Sequence, residues 1–583
     1  MSNMNRMESE MMRSMKKVGL PIAAIIAMGS IPSFAASAAS THVLSGHIPR
    51  AVSRMTDLGK MDGQQMISVS VALHLNNESE LDSRIAQIYT VGSEYYHQFL
   101  TPATFKARYS PTDAQVANEK AFLASKGLTV QDVSDNNVLV HAQGTVAQMN
   151  EAFGTEIHQF QTKSGEVRFA PANDVSVPVG SQIAAVIGLN NVTHFHNHLV
   201  KNQGVTGKDG GAPEGTAPGG GLAPADITTA YGIPSTVNGS GQTLALFELD
   251  GYDPTDIAAY EKQFNLPNIP LKNVLLDGFD GSAGQGAIEV VLDIEMMVGV
   301  APQASKIVVY EGPNSSQGLI DTYAKIASDN TAQQISSSWG EAETQAAASD
   351  MQSENTIFKQ MVAQGQTLYS ASGDSGADDD GSSLSVDDPS GQPNVIAVGG
   401  TTMTLASDGS IQSEVVWNEL AQQEGACGGG ISKVWTIPTW QVNAVGGDKQ
   451  SSKTMRNVPD VTLNADPVTG YGIYQGGQWQ VVGGTSAAAP LWAAFTALVN
   501  QQRATSHLTA LGFAAPAIYA IGEGKAYATG FNDITSGTNG TGTDSYSAVK
   551  GFDNASGWGS FKGAGLLQQL SADATSNVNS CSL

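Results

Sequence analysis

From residue 222 onwards, short apolar runs alternate with amphipathic stretches, and this alternation constrains the fold more than any other feature. QTLALFEL (242–249), SKIVVYEG (305–312), QTLYSAS (366–372) and NVIAVGG (394–400) are near-continuous apolar runs, the pattern of parallel strands covered on both faces. Between them TDIAAYEKQF, IEVVLDIEMMVGVA and SENTIFKQMVAQG repeat apolar residues at helical spacing. Strand–helix alternation over this length predicts an α/β fold with a doubly wound, mostly parallel sheet and functional residues at the strand ends.

Candidate chemistry begins with VVGGTSAAAP (481–490), a small-residue run with a hydroxyl nucleophile at Ser486. A serine nucleophile needs an adjacent base, usually histidine. Of ten histidines, nine precede residue 199 and only His507 follows, in a polar stretch that reads as surface. A Ser-His-Asp triad is therefore disfavoured, and carboxylates are the remaining bases. Glu289 and Asp293 lie four apart on a predicted helix among Ile288, Val290, Val291, Leu292, Ile294, Met296 and Met297. Such spacing puts both on one face, where two buried carboxyls cannot both ionise cheaply. Acids can also cap or solvate a helix, but a helix this apolar favours function. Glu295 shares neither spacing and serves as a control. Asp374, in SASGDSGADDD, follows an apolar strand on a tight turn and reads equally as an Asx-turn residue or a site acid; Asp378 to Asp380 read as a solvated loop.

The N-terminal region differs. Lys16 and Lys17, an apolar run and Ala36-Ser37-Ala38 have the order of a secretory signal, giving an N-terminal extension and signal over 1–38. Residues 39–198 read as a small α/β domain: ISVSVALHL alternates as a half-buried strand, and TVAQMNEAFG is a helix from the Thr145 cap to Gly154. Residues 199–221 form a Gly/Pro-rich linker, and 222–583 the large domain. Charge divides with the domains: residues 1–221 hold 16 Lys and Arg against 18 Asp and Glu, whereas 222–583 hold 13 against 36. The net charge of −25 argues against nucleic acid; between plain solubility and adaptation to acid, composition does not choose. No segment after the signal is apolar enough to span a bilayer, so the mature chain is expected to be an exported monomer, extracellular or periplasmic. Cys427 and Cys581 are the only cysteines, and whether they pair is open.

Together these residues resemble the sedolisin family of serine-carboxyl peptidases, kumamolisin-like members most closely. The resemblance rests on GGTSAAAP, the E-x-x-x-D helix of Glu289 and Asp293, SGDSG around Asp374, SSSWG (336–340), GGGIS (428–432), RNVPDVTLNADPVTGY (456–471) and DITSG (533–537), in that family's order. It extends to 39–198, which is similar to the family's activation propeptide. It implies a subtilisin-like fold, Ser486 as nucleophile, Glu289 as base, Asp293 as the group orienting Glu289, and Asp374 as a protonated oxyanion partner. Glu248 with Trp339 would extend the acid network, although a strand-end carboxylate and a core indole are the simpler reading. The SSSWG and GGGIS segments, including Ser338 and Gly429, would flank an extended substrate, and Asp387 would favour a basic residue near the scissile bond. A structural Ca2+ would take the side chains of Asp533 and Asp553 and the carbonyls of Ile534, Val549 and Gly551. Val549 stands where the family often has glycine, which a carbonyl ligand tolerates unless the turn needs positive φ. The implied activity is an acid-active serine-type endopeptidase made as a zymogen, with protein or peptide substrates and its propeptide as intramolecular inhibitor. The alternatives are a tripeptidyl-peptidase-like exopeptidase and a non-catalytic calcium-stabilised binding protein.

Overall fold

The computed structural model describes residues 40–202, 215–446 and 449–572. The expected signal peptide and Cys581 lie outside the described residues.

The N-terminal domain is built on an antiparallel sheet of β1 (Met66–Leu73), β2 (Thr129–Val133), β3 (Leu139–Thr145) and β4 (Ile183–Ile187), in the order β2-β3-β1-β4. Thr145 caps the helix Val146–Phe153 in a capping box and Gly154 ends it with φ 57°. One sheet face carries Val69, Val71 and Val140 against Leu123, Met149 and Phe153. The expectation of a half-buried β1 needs correction, because its other face is covered as well. Ala72, Leu139, Ala185 and Ile187 join a core with helices of the large domain, and Ser70 donates to the Asp321 carboxylate of that domain at 2.9 Å.

The large domain contains the expected sheet: β5 (Thr243–Glu248), β6 (Leu271–Leu275), β7 (Lys306–Glu311), β8 (Gln334–Ser337), β9 (Thr367–Ala371), β10 (Ile396–Leu405), β11 (Ile411–Val416) and β12 (Val461–Asn464). The order is β6-β7-β5-β8-β9-β10-β11, with β12 also pairing β10. All pairs are parallel except β10–β11. Helices α1 (Ala287–Val300) and α4 (Thr485–Thr505) share one core with one sheet face, while α2 (Ser316–Asp329) and α3 (Ala348–Ala363) share another with the opposite face. Every residue of α1 is buried, as expected for a helix apolar all round. Among the described residues no helix is long and apolar enough to cross a membrane.

Candidate active site

Strand ends and two helix starts bring the predicted residues together. Glu248 closes β5, Ser338 and Trp339 follow β8, Asp374 lies just past β9, and Ser486 sits in the first turn of α4. The chain enters α4 through Gly484 at φ 103°, where a side chain would meet the His198 carbonyl and the Asp374 carboxyl. Pro490 has no N–H to offer the Ser486 carbonyl one turn back. The Ser338 hydroxyl lies 3.4 Å from that carbonyl and 2.9 Å from Asp293 Oδ1.

Four carboxyls surround Ser486, three of them fully buried and Asp374 partly so. Glu289, Asp293 and Glu248 have no solvent exposure. Burial first, and among the neighbouring acids Glu248, holds Glu289 and Asp293 well above the usual carboxylate range. The Ser486 and Ser338 hydroxyls oppose this rise at Glu289 by favouring its charged form. Neither Glu289 oxygen has a closed hydrogen bond, so Ser486 faces the carboxyl without being tied to it. Glu248 is pushed up to about 8 by burial, and its Oε2 accepts the Trp339 indole N–H at 2.9 Å. Asp374 is raised to about 6 by burial. Its Oδ1 accepts both the N–H and the hydroxyl of Thr485 at 2.8 Å, leaving Oδ2 unpartnered beside the Ser486 turn.

A stretch of the chain's own backbone runs through this site. His196–Asn197 pairs antiparallel with Trp339–Gly340, and Val200–Lys201 pairs antiparallel with Val482–Gly483. Between the two pairings the His198 N–H donates to the Ser338 carbonyl, and the His198 carbonyl accepts from the Ser486 N–H, each at 3.1 Å. The His198 ring enters a pocket where its Nε2 lies 3.2 Å from Asp387 Oδ2, at ion-pair distance but off hydrogen-bond alignment. Gly340 makes room, since a side chain there would strike Asp387.

The N-terminal domain matches the description "Pro-kumamolisin, activation domain" over residues 53–192, and the large domain matches "Subtilase family" over 280–559. Kumamolisin of Bacillus sp. (strain MN-32) is 33% identical over 551 residues, 91% of this chain and 97% of that protein. Sedolisin of Pseudomonas sp. (strain 101) is 32% identical, covering 87% of each. A solved structure of Pseudomonas sedolisin, a serine-carboxyl proteinase complexed with two molecules of pseudo-iodotyrostatin, superposes with a TM-score of 0.55 at 31% identity over 63% of this chain and all of that one. The chain belongs to the sedolisin family.

This sedolisin-family peptidase thus carries its activation domain docked on α2 and α3. Tripeptidyl-peptidase 1 of Dictyostelium discoideum is a more distant relative, 28% identical over 57% of the chain. His507 is exposed just beyond the far end of α4, whose 21 residues span about 31 Å, so it is remote from Ser486. The control acid Glu295 is also buried, but it accepts the Tyr474 N–H on another flank of α1.

Two expectations need correction. Gly429 does not flank the cleft segment: it packs against Asn554, Pro459 and Val458, and its carbonyl accepts from Asn539. The 481–483 strand takes that flanking place. The Asp378 to Asp380 loop is not simply solvated. Asp379 is held well above its ordinary range by burial, then by Asp387 beside it, and Asp380 accepts from Thr344, Ser382 and Ser383.

The C-terminal loop fits the implied calcium. The carbonyls of Ile534, Val549 and Gly551 accept no hydrogen bond among the described residues. Burial raises Asp553 to about 7, a cost that a cation would relieve. Gly551 N–H donates to Asp533, and Val549 N–H to Asp553, so one loop serves both acids. Gly551 takes the positive φ, 82°, and Val549 does not. Among the described residues no three His, Cys, Asp or Glu side chains gather as a metal site, so an ion here depends on the carbonyls.

Proposed function

We propose that this chain is the zymogen of an exported, acid-active endopeptidase in which Ser486 is the nucleophile, Glu289 its base, Asp293 the group that orients Glu289, and Asp374 an oxyanion donor. The observation that carries this reading is the His198 carbonyl on the Ser486 N–H, between strand pairings on both sides. A peptide held this way presents one carbonyl to the nucleophile.

Ser486 Oγ attacks that carbonyl and its proton passes to Glu289. Burial loads the Glu289–Asp293–Glu248 cluster with protons in acid, and the charge is easiest to keep at Glu289, where two hydroxyls favour it. The developing oxyanion accepts from the Ser486 N–H and from a protonated Asp374. Glu289 then returns its proton to the leaving amine, and water attacking the ester repeats the sequence to release the acid and restore Ser486. Bound at the C-terminal loop, Ca2+ would be held by Asp533, Asp553 and the carbonyls of Ile534, Val549 and Gly551, supplying charge compensation away from the reaction.

An endopeptidase is favoured over a tripeptidyl exopeptidase because the segment continues beyond three residues on the acyl side, with Phe195 and Asn314 exchanging hydrogen bonds. Acidifying purified precursor tests the reading. Wild type should process itself and then digest an unfolded protein to internal fragments, while Ser486→Ala and Glu289→Gln precursors stay intact. Self-processing by Ser486→Ala would refute it.

A further inference from the structure

The base helix α1 is tied to the sheet through a residue outside the carboxyl cluster. Asp250 lies two positions past Glu248, where β5 has ended. Its carboxylate accepts three backbone N–H groups: Gly251 at 2.7 Å and Gly284 at 2.7 Å on Oδ1, and Gly286 at 2.6 Å on Oδ2. Gly284 and Gly286 belong to the loop that leads into α1. Gly286 is the N-cap of that helix, and its carbonyl accepts the Glu289 N–H at 2.9 Å. A continuous path therefore runs from the end of β5 through Asp250 and Gly286 to the backbone of Glu289.

Glycine at 284 and 286 is what allows this approach. A side chain at Gly284 would come within 2.8 Å of both Asp250 oxygens. One at Gly286 would meet the Trp339 ring at 2.6 Å and Asp250 Oδ2 at 3.0 Å. Gly286 is thus gripped between Asp250 and the indole that binds Glu248. An acid at a helix start also suits the unpaired N–H groups and the positive end of the helix. Here the acid comes from the loop that leaves β5, so it fixes the helix relative to the sheet and does more than cap it.

We propose that Asp250 is a positioning residue for catalysis, holding Glu289 at its working distance from Ser486 by clamping the loop before α1. The proposal rests on the reading of Glu289 as the base. It extends to Gly286, whose missing side chain is part of the clamp.

The test is steady-state kinetics on acid-activated enzyme, normalised by active-site titration with a peptide aldehyde so that only folded enzyme is counted. Asp250→Ala should lower kcat roughly ten- to hundredfold, the usual consequence of a small misplacement of a catalytic group, with KM within about twofold. Asp250→Asn should fall between, since its oxygen can still serve Gly251 and Gly284 while its amide opposes the Gly286 N–H. Gly286→Ala, which crowds the clamp from the other side, should show the same kcat-selective loss and covers the case in which Asp250→Ala yields no folded enzyme. The control is Asp253→Ala, which removes the N-cap carboxylate of the next helix, bonded to Thr255 N–H at 2.9 Å, and should leave kcat unchanged. Asp250→Ala or Gly286→Ala enzyme with kcat within twofold of wild type, or a kcat loss matched by Asp253→Ala, would overturn the proposal. Full activity in Glu289→Gln would instead overturn the assignment of the base, and so separates the two failures.

Discussion

The Ser486 N–H and the His198 carbonyl are joined at 3.1 Å, so the chain's own backbone occupies the position facing the candidate nucleophile. The pairings at His196–Asn197 and Val200–Lys201 fix the register on either side. The first cut on acidification is therefore expected between His198 and Leu199. N-terminal sequencing over an acid time course should find Leu199 as the earliest new terminus. An earliest terminus within 203–214 would contradict the register.

The same register aims the residue before the cut at Asp387. Burial, then Asp388 and Asp374, raises the Asp387 carboxyl well above its ordinary range, and it faces the His198 ring at 3.2 Å. Peptides with His, Lys or Arg before the scissile bond should be preferred, and Asp387→Ala should lower kcat/KM for them by roughly 10- to 100-fold, the worth of one hydrogen bond to a charged group. A peptide library that reveals no basic preference in wild type would sink this idea.

Much of this site was legible in the sequence for a physical reason. A serine in a small-residue helix start, with His507 in a polar stretch as the single histidine of its domain, leaves carboxylates as bases, and Glu289 and Asp293 stand out because the rest of α1 is apolar. The strands were legible because buried parallel strands are apolar throughout. The segment at His198 was not, because its conformation is dictated by what it pairs with, and HFHNH alone carries no such signal. Gly429 was misplaced for a related reason: a glycine run marks close backbone approach without saying to what. The second buried face of β1 was hidden because Ser70 reads as an outward polar residue until Asp321 is seen to receive it.

Activity should fall as pH rises through the Asp374 ionisation. Burial raises this acid to about 6, with nearby His198 acting in the opposite sense. Its donor form exists below that value and is lost above it, so the alkaline limb of the activity profile should fall near pH 6. Asp374→Asn keeps a donor at every pH and should flatten this alkaline limb, at reduced kcat. A limb unchanged in Asp374→Asn would assign it to another group.

Calcium should stabilise the mature enzyme through the C-terminal loop. An ion at a hundred times its Kd contributes about 2.7 kcal/mol, seen as a rise in Tm that chelation reverses. Asp553→Ala should abolish the calcium dependence of Tm. A Tm equally responsive to calcium in that variant would exclude the loop.

His47 gives the activation domain its own sensitivity to acid. It is nearly buried, its Nε2 accepts the Val186 N–H at 3.0 Å, and its Nδ1 lies 3.0 Å from the Leu44 carbonyl. Only the neutral ring, protonated at Nδ1, satisfies both contacts. A second proton would set N–H against N–H at β4, the strand that also covers the large domain. Burial lowers its pKa below 6.5, and the Leu44 carbonyl and Asp174 only partly oppose that. A base with a lowered native pKa is less protonated in the folded state, so its contribution is intact above 6.5 and is lost as pH falls below that value towards the native pKa. The isolated effect is measurable in the Ser486→Ala precursor, which should not process. Urea unfolding of its activation domain should show stability declining between pH 7 and pH 5, and the same measurement with His47→Gln added should show a shallower decline. The Gln variant should also need a lower pH for processing when Ser486 is present. Equal slopes in the two proteins would place the acid trigger elsewhere, with the His141 contacts to Asp321 and Asp132 the next to replace.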